Sequence, residues 1–440
     1  MNKAVSRNTS FLPVMLILVF CFTACNSDKG GNSAGRSNTS QSASDQVNLV
    51  FWEVAFGGES YLSKMEELCA RFTKENPEIV IDYQSIPYDG YTQTFTTAIA
   101  GGSAPDIGAA GSSTQHLLAA MNEVLYLDSI VEEWKATEEI KDFNPGVLES
   151  MRHNGHQVGI PWAYDPMLLW YNIEHFEKAG ITEFPQTMDE LYMCLVKLKN
   201  AGYYGLASDL TFHSKALALW DMFAWNYGEG GIFKNGVIII DNIASRKAFH
   251  FFRTMVKEGL MSAETAGYQD PEAVRQFLMG NVSIVFNNRN VQRIAESFPD
   301  ALKYTGVMPA LKTGNVVYSN QIFGLKQTKY PEKTKKFIAW LSANGAELFT
   351  QTDLFQLPVR ISIQNLVRKM NLPYVDFIFD EIFPNGHSSA YPNVEVYTQL
   401  QTIQSDGILT TAIQQAILTD EPIDSITANA RREIEKIMKQ

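Results

Sequence analysis

The stretch GIPWAYDPMLLWYN, residues 159–172, places four aromatic rings, two prolines and one carboxylate in fourteen positions. A strand-like run leads into Asp165–Pro166 and a second apolar run leads out. Proline has no N–H for a ladder and restricts the residue before it, so the pair reads as a break between two strands. Such a break is either a plain hairpin corner or a place where aromatic faces and a carboxylate meet a ligand. The flanking sequence decides between these.

Upstream, VNLVFWE (47–53) reads as a buried strand, and an apolar stripe of Tyr61, Leu62, Met65, Leu68, Cys69 and Phe72 predicts a helix over 59–75, stopped by Asn76–Pro77. EIVIDYQSI, YTQTFTTAIA and GGSAPDIGAAG then read as strand, helix and strand. This alternation is the pattern of an α/β domain with a parallel sheet, in which ligands bind beyond the carboxyl ends of the strands. Those ends are Glu53–Phe56 and Gly111–Ser113. Downstream, Thr187 and Glu190 form a capping box for a helix that Gly202 closes. YGLAS, VSIVFNN and VVYSNQIFGL read as strands, Pro331 opens another helix, and the last third is helical.

The composition bounds the function. The chain of 440 residues is 45% hydrophobic, enough to build a large core rather than a disordered coil. A net charge of −12 argues against nucleic acid as a partner, because phosphate binding needs a basic face. Lys3 and Arg7 precede the apolar run FLPVMLILVFCF (11–22), which suits the core of a signal peptide and is short for a membrane span. FTAC follows and ends at Cys25. It resembles a bacterial lipobox, with Phe22 where leucine is usual, and implies a signal peptide over 1–24 and lipidation of Cys25. The Ser-, Gly- and Asn-rich residues 26–46 have too little apolar surface to order themselves and read as a tether with a span of roughly 25 Å. Cys21 leaves with the signal. Cys69 and Cys194 sit at apolar helical positions and read as buried free thiols.

In their joint order these segments resemble the extracellular solute-binding proteins of ABC importers, in the large maltose and oligosaccharide-binding class. FTKENPEIVIDYQ resembles the family's helix-end, Asn-Pro and strand pattern. TTAIAGGSAPDI resembles its Pro-Asp signature, carried by Ala100, Gly102, Pro105 and Asp106. The opening stretch, continued as IEHFEKAGI, resembles its PWA-x-D…YN…KAGI block. FPQTMDEL has Met188 in place of the family's tryptophan, and FLMGNVSIVFNN, TKYPEKTKKFIAWL and LPVR (357–360) complete the order. The resemblance implies an α/β, two-lobed periplasmic-binding-protein-like (venus-flytrap) fold with hinge strands and C-terminal helices. It places the N-terminal lobe in 47–163 and 319–375, and the C-terminal lobe in 164–318 and 376–440. Residues 159–172 become the first crossing between lobes, with Asp165 at a position that commonly hydrogen-bonds the ligand and Trp162 and Tyr164 beside it.

The remaining candidates are weighed against structural roles. Glu53 and Phe56 end the first strand and are a cleft wall or a strand cap with a core ring. Ser112 and Ser113 follow the Pro-Asp strand, whereas Asp106 itself reads as structural. Asn287, Asn288, Arg289 and Asn290 offer amide donors and acceptors and one fork, where the family often has Gly and Trp. Phe212 and His213 lie in a loop, Trp225 is on a helix, Ser319 and Asn320 are at the second crossing, and Tyr391 is in HSSAYPN. Each of these is a cleft residue or ordinary packing.

His153 and His156 lack a third ligand nearby, so no metal is expected, and GEGGIF (228–233) lacks the Lys and Ser/Thr of a phosphate loop. No cofactor is implied. The resemblance implies a monomeric, lipid-anchored extracytoplasmic receptor, not an enzyme, with a sugar as solute and ABC permease subunits as partners. Alternatives are a surface glycoside hydrolase pairing Glu53 with Asp165, a receptor for a sensor, and the same receptor fold with a non-sugar solute.

Overall fold

The structure, a computed structural model, describes residues 46–439 except 89, 112, 145, 212, 389, 394 and 395, and omits the side chains of His213 and Ser214. The signal peptide, Cys25, nearly all of the tether, Ser112, Phe212 and the His213 side chain therefore lie outside the described residues.

In chain order the main elements are β1 (Val47–Val54), α1 (Glu59–Glu75), β2 (Ile79–Ile86), α2 (Tyr91–Ala100), β3 (Ile107–Ala110), β4 (Ile160–Pro166) and β5 (Leu168–Asn172). There follow α3 (Met188–Asn200), β6 (Tyr204–Ser208), α4 (His213–Asn226), α5 (Ile243–Lys257), α6 (Asp270–Leu278), β7 (Val282–Asn287), β8 (Thr305–Val307) and β9 (Asn315–Leu325). The chain ends with α7 (Pro331–Asn344), β10 (Leu357–Pro358), α8 (Leu400–Ser405), α9 (Ile408–Leu418) and α10 (Ile423–Ile437).

Local signals account for most of these. The capping box forms as expected: Glu190 N–H donates to Thr187 Oγ1 at 3.2 Å, and Thr187 N–H donates to Glu190 Oε2 at 3.2 Å. Gly102 takes a left-handed φ of +67° after α2, so that Ser103 N–H reaches back to Ala98 O at 2.9 Å. Cys69 and Cys194 are both free and buried.

Two sheets organise the chain. The larger has the order β10-β4-β9-β3-β1-β2, with β1 parallel to β2 and β3, and β9 antiparallel to β3 and β4. The smaller has the order β8-β5-β7-β6. The fold is thus mixed α/β with two lobes. One apolar core fills the large-sheet lobe and reaches one face of the small sheet through Trp170, Val285 and Val307. The other packs Leu169, Ile284 and Phe286 from the opposite face against α3, α4, α5, α9 and α10.

The break in the opening stretch falls one residue later than expected. β4 runs through Asp165 and Pro166, and only Met167 separates it from β5. The reason is register. Met167 N–H donates to Val316 O at 2.9 Å, which leaves Pro166 opposite Val317 at a position that donates no bond to β9. A proline costs nothing there.

Asp106 has the structural role expected of it. Its Oδ2 accepts the Val50 N–H at 2.9 Å and its Oδ1 accepts the Thr328 hydroxyl at 2.6 Å, tying β1 to the chain after β9. Replacing Asp106 with alanine leaves that N–H without its partner, and urea unfolding is expected to show a loss of about 1–3 kcal/mol.

Candidate functional site

The site begins at the crossing. β4 pairs with β9 in the register Tyr318↔Asp165, Ser319↔Tyr164 and Asn320↔Ala163, with an irregularity between Asn320 and Gln321. Successive side chains on a strand point to opposite faces. Asp165 therefore faces the small-sheet lobe, where Asn288 Nδ2 donates to its Oδ2 at 3.1 Å. Its Oδ1 is buried and has no hydrogen-bond partner among the described residues. Burial pushes the Asp165 carboxyl up to about 6, against the Asn288 bond and the nearby Lys215 charge.

Behind Asp165 lies a polar cluster at the end of β7. Lys215 on α4 ion-pairs with Asp270 at the start of α6, and its Nζ also donates to Asn287 Oδ1 at 3.0 Å. Asn287 and Asn290 both donate to Asp270, Asn290 at 2.7 Å. The Asn290 N–H donates to Asn288 Oδ1 at 3.0 Å, orienting the amide that serves Asp165. Burial works against the Asp270 charge, but Lys215 and the two amides hold its carboxyl below the usual carboxylate range. Arg289 points elsewhere: Nη1 donates to Phe355 O at 3.1 Å and Nε to Gln292 Oε1 at 3.1 Å. Burial lowers its pKa to about 10, with Asp165 opposing the shift.

Tyr318 lies opposite Asp165 on β9, and further aromatic groups cluster at the ends of β1 and β3 and on α4. The buried Tyr318 phenol, raised mainly by burial, lies in the field of Asp221, Tyr88 and Asp165. Phe56 meets Tyr88 edge-on with centroids 6.4 Å apart, and Tyr88 meets Tyr91 at 5.7 Å. A Cβ at position 111 would stand 2.6 Å from Tyr91 Oη, so Gly111 is what lets that hydroxyl sit at the end of β3. From the small-sheet lobe, Trp225 packs against Tyr391 at 5.1 Å and His387 at 5.7 Å. The Ser113 hydroxyl donates to Gln401 Oε1 on α8, joining the end of β3 to a C-terminal helix. Buried carboxylates, amides and ring faces gathered where two lobes meet can hold a polar organic solute, with the rings against its C–H surface and the carboxylate accepting its hydroxyls.

The family model of the bacterial extracellular solute-binding proteins matches residues 58–347, about two thirds of the chain. The chain belongs to that family. A binding protein of Brucella abortus (strain 2308) is 26% identical over 341 residues, covering 75% of this chain and 81% of the relative. The sugar transporter of Arthrobacter chlorophenolicus A6, solved with bound laminaribiose, superimposes with a TM-score of 0.75 at 21% identity, covering 90% of this chain and 100% of that one. A maltose-bound protein of T. maritima gives 0.71 at 19% identity, covering 89% and 99%. At such identities the likeness of the structures shows the fold, that of two-lobed solute-binding proteins.

Within this solute-binding protein the structure gathers only some of the residues singled out by sequence. Asp165, Asn287, Asn288, Arg289 and Asn290 come together, and Phe56, Trp225 and Tyr391 belong to the aromatic groups just described. Asn320 is buried with an unpartnered Nδ2, and Ser319 is buried opposite Tyr164. Glu53, Trp162 and Tyr164 go elsewhere. Glu53 continues the inward register of Leu49 and Phe51, and accepts hydroxyl bonds from Tyr61 and from Tyr83, the latter at 2.7 Å. It lines a small internal cavity with Trp162 and Arg360. Trp162 stacks on Tyr61 at 6.4 Å, and Tyr164 packs on Phe383 at 4.6 Å. These rings face the large-sheet core because alternation turns them away from Asp165. His156 stacks on Tyr126 at 4.1 Å and its Nδ1 lies 3.2 Å from Asp128, and among the described residues no cluster of His, Cys, Asp or Glu is disposed to hold a metal.

Sequence reading missed Lys215, Asp221, Asp270, Tyr88 and Tyr318. A signal existed for two of them: Lys215 and Asp221 are the charged residues of the otherwise apolar helix HSKALALWDMFAWN. Charge in such a helix needs a buried partner or a task.

Burial raises the Glu53 carboxyl to about 7, with its two tyrosine bonds opposing. A raised carboxyl stabilises the fold below its unfolded value near 4.5 and loses that contribution as pH rises through 7. The Glu53→Gln variant should therefore lack this slope. Urea titrations at acid and alkaline pH are expected to show its stability relative to wild type improving by on the order of 3 kcal/mol as pH rises.

Proposed function

We propose that this solute-binding protein captures a carbohydrate between its lobes and delivers it to the permease of an ABC importer. The observation that carries this reading is Asp165, a half-buried residue at the lobe crossing whose buried Oδ1 has no partner among the described residues, with Tyr318 alongside. A sugar supplies hydroxyl donors for the oxygen and C–H faces for the rings. The laminaribiose and maltose held by the two structural relatives support the same class of solute. The lobes we assign are 47–163 with 319–375, and 164–318 with 376–440. The chain passes between sheets at Met167 and again between β8 and β9, close to these bounds.

Binding without catalysis is the reading we favour over glycoside hydrolysis. Hydrolysis needs two carboxyls flanking one bond. Here Glu53 faces Tyr61 and Tyr83, whereas Asp165 faces Asn288 and Lys215.

A thermal-shift screen over mono- and oligosaccharides tests the solute. A sugar at a hundred times its dissociation constant should stabilise the protein by about 2.7 kcal/mol. Asp165→Ala should weaken that sugar about ten- to a hundredfold by calorimetry, since a bond to a charged group contributes roughly 1.5–3 kcal/mol. Wild-type affinity should also fall as pH drops through about 6, where Asp165 takes up its proton. A screen in which no sugar stabilises the protein would sink the reading.

The receptor works, we propose, as a monomer at the extracytoplasmic face, held by lipid on Cys25 and a tether. Among the described residues no helix is long and apolar enough to cross a membrane. Cys25→Ala should move the protein from the membrane fraction to the soluble fraction with its melting temperature unchanged. Retention of the variant in membranes would refute the anchor.

A further inference from the structure

The site holds a second buried carboxylate whose surroundings differ from those of Asp165. Asp221 lies mid-way along α4 and is only 5% exposed. Asp165 has the Asn288 bond and stands in the fields of Lys215 and Arg289. Lys215 is committed to Asp270 and Asn287. Among the described residues Asp221 has neither a hydrogen bond nor an ion pair, and burial alone drives its carboxyl well above the usual range.

Asp221 lines a cavity with Ile232, Phe233, Tyr391, Asn393 and Tyr397, with room for about one water-sized group. Two other polar side chains of that lining bond to the backbone around them. Asn393 Nδ2 donates to Phe233 O and Ala390 O, both at 3.0 Å, and its Oδ1 accepts the Asn235 N–H at 2.9 Å. The Tyr397 hydroxyl accepts the Gly236 N–H. Besides the Tyr391 and Tyr397 hydroxyls, which bring no charge, the carboxylate is what the lining offers a ligand. α4 packs against β9, and the Tyr318 phenol on β9 lies in the fields of both Asp221 and Asp165.

We propose that Asp221 receives a protonated primary amine of the solute, so that this cleft takes an amino sugar. The inference rests on the carbohydrate reading above and narrows it. A sugar hydroxyl would give Asp221 one hydrogen bond and leave its carboxyl in the neutral form that burial favours, with no ion pair gained. An ammonium group is about the size of a water molecule, brings three donors and cancels the charge. The face of Tyr391 offers a further attraction to a cation. An N-acetylated amine has neither the charge nor the size for the cavity.

The test is calorimetry on the wild-type chain and on Asp221→Asn, at neutral pH, with cellobiose, its diamino analogue chitobiose, N,N′-diacetylchitobiose and spermidine. Chitobiose should bind at least about tenfold tighter than both neutral disaccharides, and the ratio should collapse in Asp221→Asn. Chitobiose binding no tighter than cellobiose to the wild type overturns the inference and leaves the carbohydrate reading standing. So does a ratio that survives in Asp221→Asn. Spermidine binding above all three disaccharides, and lost in Asp221→Asn, supports the amine site and overturns the sugar. Failure of all four to bind overturns the inference, while the wider sugar screen decides the carbohydrate reading. Because the wild-type ranking decides by itself, a variant that did not fold would leave the test intact.

Discussion

The register of β4 against β9 is the constraint on which the rest of the site depends. Both strands lie in the large sheet, and each continues directly toward the small one, β4 through Met167 into β5 and β9 back to β8. The Met167 N–H to Val316 O bond fixes how the two chains pass each other. A slip of one residue would turn Asp165 inward and Tyr164 outward, because side chains alternate with a period of two. It would also ask Pro166 for a donor it does not have. The crossing therefore sets both the path between lobes and the direction of its one carboxylate.

Around that carboxylate the molecule handles buried charge in three ways. Asp270 is neutralised by Lys215 and held by two amides, so it stays ionised and fixes Asn287 and Asn290. Asp165 receives a single amide, and its remaining oxygen is left for a solute. Asp221 has no partner among the described residues, and burial drives its carboxyl well above the usual range. Unpaired buried charge is costly, so such a carboxyl favours its neutral form until a ligand in the closed state offsets the cost of ionising it. The arrangement also explains the four-residue run at the end of β7. Its two outer asparagines hold Asp270 in place, Asn288 reaches Asp165, and Arg289 closes onto the Phe355 carbonyl.

Much of the fold was legible in the chain. α1 and β6 follow from apolar periodicity, α3 from its capping box, and α7 from Pro331, all signals carried by residues a few positions apart. The buried side of β1 is legible too, since Glu53 shares the register of Leu49 and Phe51, an alternation that favours the strand cap over the cleft wall. The same arithmetic separates Tyr164 from Asp165. The polar run 287–290 stood out because amides and a guanidinium interrupt an apolar strand.

The sequence by itself determined the order of α/β elements, the apolar faces that build two cores, and the membership of a solute-binding family. These depend on local periodicity and on motifs whose spacing is fixed along the chain. Only the tertiary structure decided which polar residues share one space. Lys215 meets Asp270 across 55 positions, Asp165 meets Asn288 across 123, and Ser113 meets Gln401 across 288. No periodicity carries such pairings, because each arises from packing α4, α6 and α8 against strands that the hinge brings together.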